Sequence, residues 1–333
     1  MATMRPPVLR LSLLCGLVAS AWIAAGCRTS TAAAGPRGVS LTETNDVVRV
    51  ELDGKLFTEY RFRDVSRPFL YPILGPNGEH MTRRWPQETV PGEEQDHPHH
   101  HALWWAHGDV NGVDFWSEQK DAGRTVHQSF AKIASGKDSG VLTSRNRWVA
   151  KDGKTIASDE RTLTFHRPRG GERIMDFSVT VFATDGELTF GDTKEGTMAI
   201  RLAESMRLAQ PAKKAGEGRI LNSEGIRDGE TWGKHAAWCD YSGPVGGRTV
   251  GVAIFDHPSN PRYPTTWHVR DYGLFAANPF GLHDFEKKPK GAGDLKVPAG
   301  GRVTFRYRFI FHDGDAAAAD VAGRHAEYLK TVR

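Results

Sequence analysis

"VTFRYRFIFH", residues 303–312, decides the fold class. Val303, Phe305, Tyr307, Phe309 and Phe311 fall on one side, Thr304, Arg306, Arg308 and Ile310 on the other. A period of two with one apolar side predicts a half-buried antiparallel strand. Upstream, "ERTLTFHRPRGGERIMDFSVTVFA" (160–183) repeats the idea. Short alternating runs flank a turn at Pro168, Gly170 and Gly171, with Ile174, Phe177, Val179 and Val181 as core candidates. Near the N-terminus, "VVRVELDGKLFTEYRF" (47–62) reads as a hairpin. Val48, Val50 and Leu52 share a face, Asp53-Gly54 turns the chain, and Leu56, Tyr60 and Phe62 return. The helix that the pattern predicts is terminal, in "DAAAADVAGRHAEYLK" (315–330), with Asp315 as its N-cap. No internal repeat or interdomain linker interrupts the strands. The expectation is therefore all-β: one large antiparallel β-sandwich over residues 41–333 with a short C-terminal helix.

Composition agrees with such a fold. The chain has 333 residues, 25% charged and 39% hydrophobic, and its 36 glycines and 18 prolines suit a chain of many turns. The formal net charge is +4, part of it in Arg5 and Arg10. No Lys/Arg block interleaved with aromatics stands out, so nucleic acid is not an expected partner.

Arg5 and Arg10 precede the apolar run "LSLLCGLVASAWIAAG", which ends in small residues before Cys27. The run is too short for a membrane span and ends in a processing site, so residues 1–26 are read as a lipoprotein signal peptide. Plain secretion with cleavage nearby is the alternative. Cys27 would carry the lipid, and residues 27–40 would form a flexible tether. Arg28 stands where aspartate often signals inner-membrane retention. The expected location is thus the cell envelope, anchored to the membrane by lipid on the periplasmic face of the outer membrane. Of three cysteines, Cys15 would leave with the leader and Cys27 would be acylated, leaving Cys239. An internal disulfide and a thiolate zinc site are excluded by that count.

Four stretches concentrate polar groups beside aromatics: "DHPHHHALWWAHGDVNGVDFW" (96–116), "FGDTKEGTMAIR" (190–201), "WGKHAAWCDYSG" (232–243) and "FDHPSNPRYPTTWHVRDYGLFAANPFG" (255–281). Most of the 14 histidines lie in or beside them. One reason for such clustering is a divalent metal, which needs three or four converging N/O ligands. His97 and His99, two apart on an extended segment, share a side, and His257 is a candidate to join them. No H-E-x-x-H and no cysteine pair is present, so no specific metal motif supports this set. No other cofactor is expected.

Sugar chemistry is the other reason. Pyranose rings stack on Trp and Tyr while fixed polar groups bond their hydroxyls. Trp104, Trp105, Trp116, Trp232, Trp238, Trp267 and Tyr272 alternate with such groups. His99, His100, Glu195 and His268 are the candidate acids and bases. His107, Asp109, Asn111, Asp192, Arg201, Arg270, Asp271 and Asn278, with Trp104, Trp105 and Trp267, are candidate substrate contacts. Blander readings stand beside these. The tryptophans could be core plugs, Asp109, Asn111 and Asp192 turn formers, and Lys194 and Arg201 salt-bridge partners.

These stretches, together with "RPFLYPILGPNGEHMTRRWP" (67–86), resemble a bacterial family of unknown function, DUF6807, also labelled methane oxygenase PmoA-like. The resemblance covers nearly all of the expected mature chain. It implies the β-supersandwich of galactose mutarotases and related carbohydrate-active enzymes. It also implies the company of sugar oxidoreductases and keto-sugar-processing proteins in glycan-degrading bacteria. The family often has arginine where this chain has His101, so the resemblance gives His101 no role. The oxygenase label conflicts with the residues, because a membrane copper oxygenase needs transmembrane spans. The expected function is a lipid-anchored envelope protein acting on a carbohydrate or keto-sugar derivative. Its chemistry would be that of a lyase, hydratase, hydrolase or epimerase, run by histidine and carboxylate groups with or without a divalent metal. A non-catalytic glycan-binding lipoprotein is the alternative.

Overall fold

The strand read at 303–312 runs over Arg302–Asp313 and lies within one of two eight-stranded antiparallel sheets. The fold is given by a computed structural model that describes residues 1–2, 37–209 and 216–332. Cys27, the expected signal peptide from residue 3 onward and most of the expected tether lie outside the described residues. In chain order the elements are β1 (Val39–Glu43), β2 (Val47–Leu52), β3 (Lys55–Arg61), β4 (Phe69–Ile73), β5 (Leu103–His107) and β6 (Arg124–Ala134). Next come β7 (Ser139–Val149), β8 (Thr155–His166), β9 (Arg173–Phe182), β10 (Leu188–Phe190), β11 (Gly196–Arg201) and β12 (Arg219–Asn222). Then follow β13 (Trp238–Val245), β14 (Arg248–Asp256), β15 (Trp267–Val269), β16 (Leu274–Ala277), α1 (Leu282–Glu286), β17 (Leu295–Val297), β18 (Arg302–Asp313) and α2 (Val321–Thr331).

The first sheet has the order β1-β2-β3-β4-β5-β11-β16-β15, the second β12-β13-β14-β18-β9-β8-β7-β6. Their inner faces share one core. Trp105 of β5 meets Trp148 of β7 at 5.3 Å between ring centroids, and Phe57 of β3 meets Phe311 of β18 at 5.4 Å. Phe305, Tyr307, Phe309 and Phe311 point into this core, as the alternation predicts. A one-residue slip of β18 would turn those side chains outward, at about 1.5–3 kcal/mol each, which fixes the register. Ile310, on the opposite side, is buried as well, because α2 and Trp238 cover the outer face of the second sheet.

Two boundaries differ from expectation. Strand pairing begins at Val39, inside the expected tether, because Val39 buries its side chain and pairs with Leu52. Helix α2 begins at Val321 rather than after Asp315, and Asp320 caps it by accepting from the Gly323 amide. Asp315 instead accepts from the amides of Ala317 and Ala318 in the preceding turn. Among the described residues no helix is long and apolar enough to cross a membrane.

Candidate functional site

The outer face of the first sheet carries the site. Register places Trp104 of β5 opposite Ala199 of β11, Ala199 opposite Ala276 of β16, and Ala276 opposite His268 of β15. Two alanines between a tryptophan and a histidine leave a shallow floor. The next row, Ala102, Arg201 and Leu274, continues it. Above this floor lies a cavity of about 500 Å³, lined by His97, His99, His100, Asp114, Trp116, Lys194, Glu195, His268, Arg270 and Tyr272 among others. It gathers residues from all but the third of the four stretches singled out in the sequence.

Strand parity sorts the tryptophans. Trp104 faces the cavity side and packs on His100 and Trp116, at 5.3 and 5.1 Å between ring centroids. Trp105 and Trp267 alternate the other way and sit in the core between the sheets, which corrects their assignment as substrate contacts. Trp267 also donates its Nε1–H to the Ala236 carbonyl at 3.0 Å. His107 follows the same parity. It is fully buried beside Phe190 and Phe280 and bonds the Gly191 carbonyl at 2.8 Å, so it too is a core group.

The loop "HPHHH" is held from below by buried arginines. Arg83 donates to the carbonyls of Asp96 and His97 at 2.9 and 3.0 Å, and also pairs with the Asp96 carboxylate. Arg201 donates to the other face of this cluster, to Asp96 at 3.1 Å and to His100 Nδ1 at 3.1 Å. Because Arg201 can only donate, His100 is neutral and carries its proton on Nε2. Burial pushes the Asp96 carboxyl up, but contact with His97 and the charges of Arg201 and Arg83 outweigh it and hold it well below the carboxylate range. Burial, reinforced by Arg201, drives His100 well below the usual histidine value. Burial and the Arg67 charge push His99 down to about 4. His101 turns away, stacked on Phe69 and bonded to Gln87 and Glu118.

On the opposite wall, His268 Nδ1 lies 2.7 Å from the Lys194 carbonyl. A carbonyl only accepts, so Nδ1 carries the proton and Nε2 keeps its lone pair. Burial pushes His268 down to about 4. Asn278 is not a substrate contact but a clamp: its Nδ2 donates to the Thr193 and Lys194 carbonyls at 3.0 and 2.9 Å. Together they pin the loop that presents Glu195, whose carboxylate meets Lys194 Nζ at 3.0 Å. Gly108 lets this loop lie close, since a Cβ there would come within 2.8 Å of Glu195 Cβ.

The remaining candidates are apart from the cavity. Asp109 accepts from the Gly112 amide at 2.9 Å, and Asn111 bridges to Glu187 and Thr189. Asp192 accepts from the amides of His283 and Gly293. These three shape loops, as short side chains that bond backbone do, which corrects their assignment as substrate contacts. Asp271 contributes its carbonyl to Leu208 and Tyr241 and does not line the cavity. His257 lies beyond β14, where Nδ1 accepts from the Ser259 amide and its ring meets Tyr328 of α2. It is not brought to His97 and His99, which corrects the expected metal set. Among the described residues no group of three or more His, Cys, Asp or Glu side chains is arranged to hold a metal ion. Sequence reasoning missed Arg67, Arg83 and Glu118. Arg67 donates to the His99 and Trp116 carbonyls and pairs with Glu118 at 3.0 Å. A buried arginine has no local sequence signature, so only the fold reveals it.

A family model described as a family of unknown function, DUF6807, matches residues 47–326. The chain belongs to that family. No curated protein matches this DUF6807 chain. Among solved structures it is similar to an α-galactosidase from Lactobacillus brevis, at 9% identity and a TM-score of 0.39, over 84% of this chain and 39% of that one. It is similar to a galactose mutarotase related enzyme from Lactobacillus acidophilus, at 10% identity and a TM-score of 0.29, over 82% and 97%. A polysaccharide lyase is similar at 11% identity and a TM-score of 0.26, over 85% and 33%. The DUF6807 chain thus spans well under half of the α-galactosidase and of the lyase.

Proposed function

We propose that this protein acts on a carbohydrate or keto-sugar derivative by acid–base chemistry in the histidine cavity. The observation that carries the reading is the fixed tautomer of His268, whose unprotonated Nε2 shares one cavity with the Glu195 carboxylate. A lone pair held in place by a carbonyl on the other ring nitrogen is poised to take a proton. In this reading His268 or Glu195 removes a proton next to a sugar carbonyl or hydroxyl. Lys194 and the neutral imidazole of His99 donate hydrogen bonds to the oxygen on which charge develops. Tyr272 and Trp116, which line the cavity, supply its apolar surface. This assignment spans lyase, hydratase, hydrolase and epimerase chemistry.

The test is turnover on a panel of glycosides and keto-glycosides, comparing wild type with His268→Gln. Loss of about 10²–10⁴-fold in kcat, with an unchanged fold by circular dichroism, is expected for removal of a general base. Unchanged turnover in the variant would sink the assignment. The lowered His99 and His268 values favour a second reading, because imidazoles titrating near 4 are weak bases at neutral pH. In that reading the cavity binds a glycan without turning it over, and sugar binding without turnover of any panel member would be found. For location, we propose a lipid anchor at Cys27 in the cell envelope, supported by the small residues Ala24, Ala25 and Gly26 before it. Radiolabelled palmitate should enter the wild type and not Cys27→Ala.

A further inference from the structure

We infer that the sugar taken by this cavity carries a carboxylate, as a uronate or aldonate does, and that Arg270 holds it. The inference rests on the carbohydrate reading above and names its substrate class. Arg270 sits in the four-residue turn between β15 and β16. Its amide donates to the Leu274 carbonyl at 2.7 Å, and its own carbonyl accepts from Gly273 at 3.1 Å and from the Tyr241 hydroxyl at 3.3 Å. Gly273 turns the chain at φ 90°, a conformation that favours glycine. The guanidinium carbon lies 5.6 Å from the Tyr272 ring centroid and 5.9 Å from that of Trp232, so two aromatic faces hold it.

Each other cation at the site has a carboxylate within ion-pair distance. Lys194 meets Glu195 at 3.0 Å. Arg83 and Arg201 share Asp96, and Arg67 meets Glu118. Asp114 accepts from the amides of Trp116 and Ser117 and from the Ser117 hydroxyl. For the Arg270 side chain, no carboxylate within ion-pair distance and no hydrogen-bond acceptor is found among the described residues.

A guanidinium that faces a binding cavity without a counter-ion attracts an anion, and its planar fork fits a carboxylate with two parallel bonds. One unmatched positive charge suits a monoanion. A phosphate monoester, close to a dianion at neutral pH, would bring an excess negative charge beside Glu195 and Asp114. A neutral pyranose would leave the guanidinium unmatched as water is expelled.

The test is calorimetric titration of the whole protein with glucuronate, its methyl ester, glucose and inorganic phosphate. Glucuronate is expected to bind at least about tenfold more tightly than the ester, the worth of one charge-assisted bond. Arg270→Gln should abolish that gap, chiefly by weakening glucuronate binding. Should that variant fail to fold, Arg270→Lys, which keeps the charge but not the fork, is expected to narrow the gap by itself. Equal affinity for acid and ester in wild type, or an unchanged gap in the variants, would overturn the inference and leave the carbohydrate reading standing. Phosphate binding as tightly as glucuronate, and depending on Arg270, would overturn the carboxylate assignment in favour of a phosphorylated sugar. No binding of acid, ester or glucose would overturn the carbohydrate reading, and this inference with it.

Discussion

His268 on the first sheet and His312 on the second are equally deep, 3% and 2% exposed, yet their protonation is driven in opposite directions. His268 donates Nδ1–H to a neutral carbonyl, and burial takes it down to about 4. His312 Nε2 lies 2.7 Å from the Asp240 carboxylate. Burial would lower His312 too, but the Asp240 carboxylate outweighs it and raises the value. Burial alone therefore does not decide what a histidine does. A dipole as partner leaves a neutral ring with a free lone pair, suited to chemistry at the cavity wall. A carboxylate as partner makes an ion pair, suited to fastening β13 to β18 across β14.

The largest expected effect sharpens this contrast by comparing a carboxylate that holds arginines, which cannot discharge, with the one that holds His312, which can. Asp96→Ala strands Arg83 and Arg201, both wholly buried and unable to release a proton. A loss of about 3 kcal/mol in unfolding free energy is expected by urea denaturation, the low end for an orphaned buried charge. It falls at the low end because Arg83 keeps the Asp96 and His97 carbonyls. Asp240→Ala should cost less, about 1–2 kcal/mol, because His312 escapes by becoming neutral. A larger loss for Asp240→Ala than for Asp96→Ala would show that His312 does not escape by becoming neutral.

Next in size is pH. The folded value of His268 lies below its unfolded value, so its contribution is complete above about 6.5 and is lost as pH falls toward about 4. That amounts to an effect on the order of 3 kcal/mol at most. His99 and His107 act in the same direction. Stability measured from pH 7 to pH 4 should therefore fall less steeply in His268→Gln than in wild type, by up to one proton. His312 has the opposite sign: its contribution is present below about 6.5 and fades as pH rises through its raised folded value. His312→Gln should flatten the alkaline side by a smaller amount and leave the acid side alone. Equal slopes for both variants on the acid side would erase the distinction.

Much of the fold was legible because alternation is local. The 303–312 run and the hairpin at 47–62 carry their faces in their own residues. The site was legible as a cluster but not as a geometry. The neighbours Trp104 and Trp105 look alike in the sequence, and only the pairing of β5 with β11 sends one to the cavity and the other to the core. Asp109, Asn111 and Asp192 carry the same polar chemistry as Glu195, but their bonds go to loop backbone. Arg201, equally readable as a surface charge, took a place beside the cavity because a segment 105 residues away brought Asp96 to it, whereas Lys194 meets its own sequence neighbour Glu195.

By itself the sequence determined the all-β class, the antiparallel pairing near each turn, and the four segments where polar and aromatic groups concentrate. These follow from periodicity and turn chemistry, which act over a few residues. The tertiary structure alone decided which face each strand shows the cavity, which tautomer His100 and His268 adopt, and which cation lining the cavity lacks a carboxylate partner among the described residues. Those depend on groups tens of residues apart, such as Asp96 with Arg201 or Lys194 with His268, whose meeting is a property of sheet order and not of local pattern.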